Sequence, residues 1–178
     1  MRFRTTTNDT SLFNLRHPCG LVIILLYVDD IVNTGSSSDL ISIITKAMHQ
    51  NFQLKDLGPL HYFLGIEVLR TSSRLLLQSK YTEKLLTRAG MAESKTAPTP
   101  MAVRSLTNSN NRLFDNPTLY RSIVGGLHYL AVTRPEIQYI VNSVSQSMHD
   151  PTEQNFQSLK QILRYLKGSS RCGLLFQK

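Results

Sequence analysis

The chain is expected to fold as an α+β protein, with a hairpin-rich β part carrying a helix or two, followed by a part built from helices alone. Three observations carry that expectation. Residues 21–28 (LVIILLYV) and 31–35 (IVNTG) are β-rich runs separated by two aspartates. The stretch 91–116 lacks hydrophobic periodicity and is rich in Pro, Ser, Thr and Asn. Beyond it, apolar residues recur at helical spacing.

Taken in order, the two runs read as strands of a hairpin with Asp29-Asp30 at its tip. Gly35-Ser36-Ser37-Ser38 then breaks the chain, and Ser38 can cap a helix over 39–52 whose Leu40, Ile43, Ile44, Ala47 and Met48 share a face. Leu57-Gly58-Pro59 punctuates the chain. Residues 61–70 (HYFLGIEVLR) read as a strand, with Gly65 marking a bulge or a close backbone approach. Residues 71–73 are turn-like, and 75–78 (LLLQ) read as the returning strand. A helix over 80–89 is closed by Gly90. Its Lys80, Lys84 and Arg88 form a solvated face or a binding one.

The stretch 91–116, which includes Ala97-Pro98-Thr99-Pro100 and NSNNR at 108–112, reads as a linker. Helices follow over 118–132 and from Pro135 to about Met148. A third is opened by Asp150 as cap, with Pro151 in its first turn and Glu153 three residues after the cap. Phe156, Leu159, Leu163 and Leu166 make its apolar stripe, and Lys160, Arg164 and Lys167 occupy another face, either solvated or in contact with phosphates. The expected organisation is thus 1–90, a linker over 91–116, and a helical part over 117–178.

At 178 residues the chain is long enough for one domain or two small lobes. Twenty Lys and Arg against 12 acidic residues give a formal charge of +8, which favours a polyanionic partner, nucleic acid first and an anionic membrane second. The longest purely apolar run is far shorter than a membrane span. Cys19 and Cys172 make no disulfide framework, and His17-Pro18-Cys19 lacks the further ligands of a zinc site.

The chemistry concentrates at Tyr27-Val28-Asp29-Asp30. Two adjacent carboxylates repel each other unless something compensates them. A hard divalent cation would do so, as in polymerase phosphoryl transfer. A polar hairpin turn is the other reading, since Asp is common in turns.

Several segments together decide between them. Ser11-Leu12-Phe13, Leu26-Tyr27-Val28-Asp29-Asp30-Ile31, Phe52-Gln53-Leu54-Lys55-Asp56-Leu57-Gly58 and His61-Tyr62-Phe63-Leu64-Gly65-Ile66-Glu67-Val68 come first. Tyr120-Arg121-Ser122-Ile123-Val124-Gly125-Gly126-Leu127, Thr133-Arg134-Pro135-Glu136-Ile137, Met148-His149-Asp150-Pro151-Thr152 and Ile162-Leu163-Arg164-Tyr165-Leu166-Lys167-Gly168 follow. In this order and spacing the set resembles reverse transcriptases of Ty1/copia-type retrotransposons, over about residues 9–178. The resemblance implies a partial palm over 1–90 and a thumb- and connection-like part over 117–178. It implies that Tyr27–Asp30 is the catalytic hairpin, with Asp29 and Asp30 as Mg²⁺ (or Mn²⁺) ligands, Asp29 the more direct of the two. Tyr27 and Val28 would lie near the primer terminus and incoming nucleotide. Phe63-Leu64-Gly65 would form a primer grip, with Gly65 letting backbone approach the primer strand. The implied partner is a template–primer duplex of RNA and DNA, without a membrane.

In that family another essential Asp lies on a palm strand well upstream of the hairpin. Only 28 residues precede Asp29 here, and their sole acid, Asp9, aligns with the segment just before Ser11. The family's ribonuclease H region would begin beyond Gln177. The expectation is therefore a truncated RNA-directed DNA polymerase, inactive alone, or alternatively a non-enzymatic nucleic-acid-binding remnant. With palm neighbours missing, the strand over 21–28 is expected to have an open edge and to invite self-association, or pairing with a longer reverse transcriptase.

Overall fold

β1 (Arg4–Thr5), β2 (Leu12–His17), β3 (Gly20–Tyr27) and β4 (Asp30–Gly35) form an antiparallel sheet in the order β1-β2-β3-β4. It belongs to the first of two compact units, Met1–Leu60 and His61–Lys178. The computed structural model describes residues 2–70, 74–101 and 112–176. β3 pairs with β2 from His17↔Gly20 to Leu12↔Leu25 and with β4 from Val22↔Gly35 to Tyr27↔Asp30. The open edge expected beside residues 21–28 is therefore not there. Residues 12–17, left unassigned in the sequence, supply the neighbour, and β1 and β4 are the outer strands.

α1 (Ser38–Asn51) covers one face of this sheet. Ser37 is its cap, one residue before the expected Ser38, and accepts from the Leu40 amide. Alternation along the strands sends Leu15, Val22 and Ile24 into a core with Leu40 and Ile44, and Phe3, Phe13, Ile31, Ile41 and Met48 pack around it. Inside this core, Asn33 donates to the Thr45 hydroxyl at 3.2 Å.

The second unit has its own sheet, β5 (Tyr62–Phe63), β6 (Ile66–Arg70), β7 (Arg74–Leu77) and β8 (Leu174–Phe176), also antiparallel and in that order. The single strand expected over 61–70 is a hairpin, turned by Leu64 and Gly65, which both have positive φ. The turn expected at 71–73 lies outside the described residues. β8 was not expected. It returns from the chain's far end to pair with β7.

Helices α2 (Ser79–Arg88), α3 (Pro117–Ala131), α4 (Gln138–Ser145) and α5 (Glu153–Gly168) complete this unit, with a 3₁₀ turn at Pro135–Ile137. Their apolar stripes meet in one core of Leu85, Ile123, Leu127, Leu130, Leu159, Leu163 and Leu166, among others. α5 is capped by Thr152, not Asp150: Thr152 and Asn155 form a reciprocal capping box. Residues 91–101, read as a linker, are strapped along α5. The Ala97 amide donates to Arg164 O at 3.2 Å, Gln161 to Thr99 O at 2.9 Å and Lys167 to Ser94 O at 2.8 Å. The compact units accordingly divide after Leu60, and the 91–116 stretch falls inside the second, its residues 102–111 lying outside the description. With two antiparallel sheets and five α-helices among the described residues, the α+β expectation holds.

Tyr120 is fully buried in the second core and donates to Val144 O at 2.7 Å, and burial pushes its phenol up to about 12. Its folded pKa lies above the unfolded value near 10. Its contribution is therefore complete below pH 10 and lost as pH rises toward 12. Tyr120→Phe is expected to lower stability at neutral pH by about 1 kcal/mol, through the lost bond to Val144 O, which keeps the Ser147 amide at 3.3 Å. The same change should flatten the alkaline loss. Urea unfolding at pH 7 and pH 11 checks both.

Candidate functional site

β3 and β4 run antiparallel up to the facing pair Tyr27↔Asp30, which leaves Val28 and Asp29 as a two-residue connection. Hairpins this tight need positive φ and favour Gly or Asn. Here Val28 stands at φ +51 and is 81% exposed. A β-branched residue in that region is strained by about 1–2 kcal/mol. The ladders on both sides of β3 hold it there. Such strain collects at functional turns. Val28→Asn is expected to stabilise the first unit by about 1 kcal/mol; an unchanged urea midpoint would show that the turn is not strained.

Asp29 and Asp30 are exposed at this tip, and neither takes part in an ion pair among the described residues. The β2–β3 ladder brings a third acid to the same end of the sheet, for Leu26 donates its amide to Ser11 O and Asp9 lies just before Ser11. Asp9 Oδ1, however, accepts from the Ser11 amide at 2.9 Å and hydroxyl at 2.5 Å, and these bonds hold its carboxyl below the usual range. Among the described residues no three of His, Cys, Asp or Glu gather to hold a metal ion. Asp29 and Asp30 are hard oxygen donors of the kind Mg²⁺ takes, but a two-metal clamp draws carboxylates from more than one strand. The residues present do not by themselves fit that group.

Phe63, Leu64 and Gly65 lie in the second unit, at the β5–β6 turn. Leu64 has φ +48 and Gly65 φ +78. A Cβ on Gly65 would sit 3.0 Å from the Tyr129 hydroxyl, so α3 already occupies the space above this glycine. Tyr129 in turn meets Tyr81 edge-on at 4.9 Å. Beside the turn, Lys80 Nζ lies 5.7 Å from the centre of the half-exposed Tyr62 ring. That pair was not singled out in the sequence, although the aromatic-rich strand preceding a lysine was there to be read. The basic residues of the helices divide. Lys167 holds Ser94 O, Lys160 lies 4.7 Å over the Phe156 ring, and Arg164 and Lys84 stay exposed.

The sequence model of the family described as reverse transcriptase (RNA-dependent DNA polymerase) matches residues 1–103, a span that includes both turns. The chain belongs to this family. An uncharacterised mitochondrial protein of Arabidopsis thaliana is 46% identical over 87% of the chain and 65% of its own length. The retrovirus-related Pol polyprotein from transposon RE1 of the same plant is 46% identical over 99% of the chain, which spans 12% of that polyprotein. The Pol polyprotein from transposon TNT 1-94 of Nicotiana tabacum is 35% identical over 87% of the chain and 12% of its own length. The chain thus spans from about an eighth to about two thirds of these relatives. No solved structure matches it significantly. The region is of the Ty1/copia reverse transcriptase kind, as its ordered segments imply. Among the described residues no helix is long and apolar enough to cross a membrane.

Proposed function

We propose that the chain carries the catalytic hairpin and the primer-grip-like turn of an RNA-directed DNA polymerase of a Ty1/copia-type retrotransposon, and that it does not synthesise DNA alone. The observation that carries this reading is the strained Val28-Asp29 connection, which presents two exposed carboxylates, in no ion pair among the described residues, at the end of a ladder fixed on both sides. Divalent cations in such a polymerase stabilise charge on the attacking and leaving oxygens. Asp29 and Asp30 contribute two carboxylates to that task and would need a third from another strand. Tyr27 and Val28 would border the primer end. Tyr62, Leu64 and Lys80 would border its backbone, with 117–178 as a thumb- and connection-like part along the duplex.

Primer extension on a primed homopolymer RNA, in Mg²⁺ and then Mn²⁺, tests the proposal. The chain alone is expected to give no product. Exchanged for the matching segment of a full-length RE1-type reverse transcriptase, it is expected to support synthesis. Asp29→Asn with Asp30→Asn in that chimaera should then lower synthesis about a thousandfold or more. A chimaera equally active with both asparagines would remove the catalytic role. Synthesis by the isolated chain would show that its carboxylate set is complete.

A further inference from the structure

The face of the first sheet turned away from α1 carries three arginines that the catalytic hairpin does not use. Phe13 and Leu15 of β2 point into the α1 core, so Leu12, Asn14 and Arg16 point the other way. Arg4 pairs with Asn14 and shares its side. Phe3 packs with the α1 core, which sends Arg2 to the same side as Arg4. Continuing the register from Arg4↔Asn14 by two residues sets Arg2 opposite Arg16. All three are exposed, and with Asn14 and His17 they line an open cavity of about 610 Å³. None of them takes part in an ion pair among the described residues.

Like charges facing each other across a ladder weaken a sheet. Residues 1–60 hold five Lys or Arg and five Asp or Glu, so the arginines do not reflect a general excess of positive charge; that excess lies in 61–178. Charge in the first unit is segregated instead, with arginines at the β1–β2 corner and Asp29 and Asp30 at the hairpin tip. Arg16 pairs with Leu21, which lies on the same face as Tyr27 and six residues from it along β3. Corner and tip therefore share one face, about 20 Å apart, or about six nucleotides of a single strand.

We propose that Arg2, Arg4 and Arg16 form a phosphate-contact site for a polynucleotide strand lying along this face, distinct from the catalytic hairpin. Guanidinium forks match phosphate oxygens, and strand geometry spaces these about 7 Å apart along β1 and about 5 Å across to β2. Asn14, between them, adds a neutral donor. The face also carries the exposed Leu21 and Tyr27, and a polynucleotide fits this mixture because its bases can stack on the Tyr27 ring while its phosphates meet the arginines. The inference rests on the reading that the chain works on a polynucleotide, and it adds a contact at residues that reading does not involve.

Fluorescence anisotropy of the full chain with a labelled single-stranded RNA of about 12 nucleotides, across a salt series, tests it. Arg2→Gln/Arg4→Gln/Arg16→Gln is expected to bind at least about tenfold more weakly and to lower the slope of log affinity against log salt by about 2. Lys46→Gln/Lys55→Gln, which removes two charges elsewhere in the same unit, is expected to keep the slope of the unaltered chain. An unchanged melting temperature for the triple variant shows that its fold is intact. If the triple variant binds like the unaltered chain, or the lysine variant loses as much, the site is overturned while the proposed function stands. If the unaltered chain binds no RNA, both fall. Arginine-dependent binding to phosphatidylserine vesicles without RNA binding would also overturn the site, in favour of a lipid headgroup.

Discussion

Arg134→Ala is expected to cost the second unit about 3 kcal/mol, read as a lowered urea midpoint. The side chain is 4% exposed at the junction of α3 and the 3₁₀ turn. Its Nε donates to Glu136, Nη1 to Ser169 O at 2.8 Å and Nη2 to Ser169 Oγ at 2.7 Å, and the guanidinium lies 5.6 Å over the Tyr165 ring. One residue thus ties the end of α3 to the end of α5. Alanine leaves a cavity and strips Ser169 of both guanidinium bonds, its carbonyl keeping the Cys172 amide at 2.9 Å. Glu136 is only half-buried and rehydrates, which keeps the cost below that of a fully buried pair. Lysine should recover less than half, since an ammonium cannot copy the fork. A change under about 0.5 kcal/mol for alanine would show that the clamp is decorative. The Thr133–Ile137 segment helps to carry the family resemblance, and its buried members hold the unit together: Thr133 donates to Gln78 at 2.6 Å, and Ile137 is fully enclosed.

Gly35→Ala is expected to destabilise the first unit by about 2–3 kcal/mol. A Cβ there would lie 2.4 Å from Leu21 O and 3.2 Å from Val22 Cα, and backbone cannot step aside as a side-chain tip can. Relief requires parting β3 from β4 at the end opposite the Val28-Asp29 turn. Among the described residues this unit's core holds just five buried hydrophobic side chains, so little cohesion is spare. Gly125→Ala is the control. It is an exposed helical position with nothing within 4 Å of the new methyl group, and should be neutral or stabilising by up to about 1 kcal/mol. Circular dichroism and urea unfolding of both variants decide the matter. Equal stability would mean that the sheet absorbs the methyl group.

The sequence made the helices legible because each buries a regular stripe: α2 and α3 lie within a residue of the bounds read from periodicity. The strands were harder. β2 alternates properly, with Phe13 and Leu15 inward and Asn14 and Arg16 outward, but over too short a run to stand out. β8 is three residues long, and its partner is distant in sequence, so no local pattern marks it. The turn at Leu64-Gly65 was hidden because leucine rarely takes positive φ. The cap of α5 was misplaced because Asp150 and Thr152 both fit the pattern, and the Thr152–Asn155 pair decided it. Residues 91–101 looked like a linker because contacts between their backbone and side chains of α5 have no period. At the site, the aspartate pair announced itself between two β-rich runs. The strain at Val28 and the packing of Tyr129 over Gly65 needed the fold.

The pairing of β7 with β8 sets the order in which the second unit can be completed during synthesis. Leu76 and Leu174 face each other although about 100 residues separate them, a separation that makes closure slow compared with forming the helices between. On a ribosome, β5, β6 and β7 emerge early but lack their fourth strand until residues 174–176 follow, about 100 residues later. Until then β7 presents a bare run of leucines to whatever strand is nearest. Nascent chains halted before residue 174 should therefore be cut rapidly by protease within this unit, and chains released beyond residue 176 should resist.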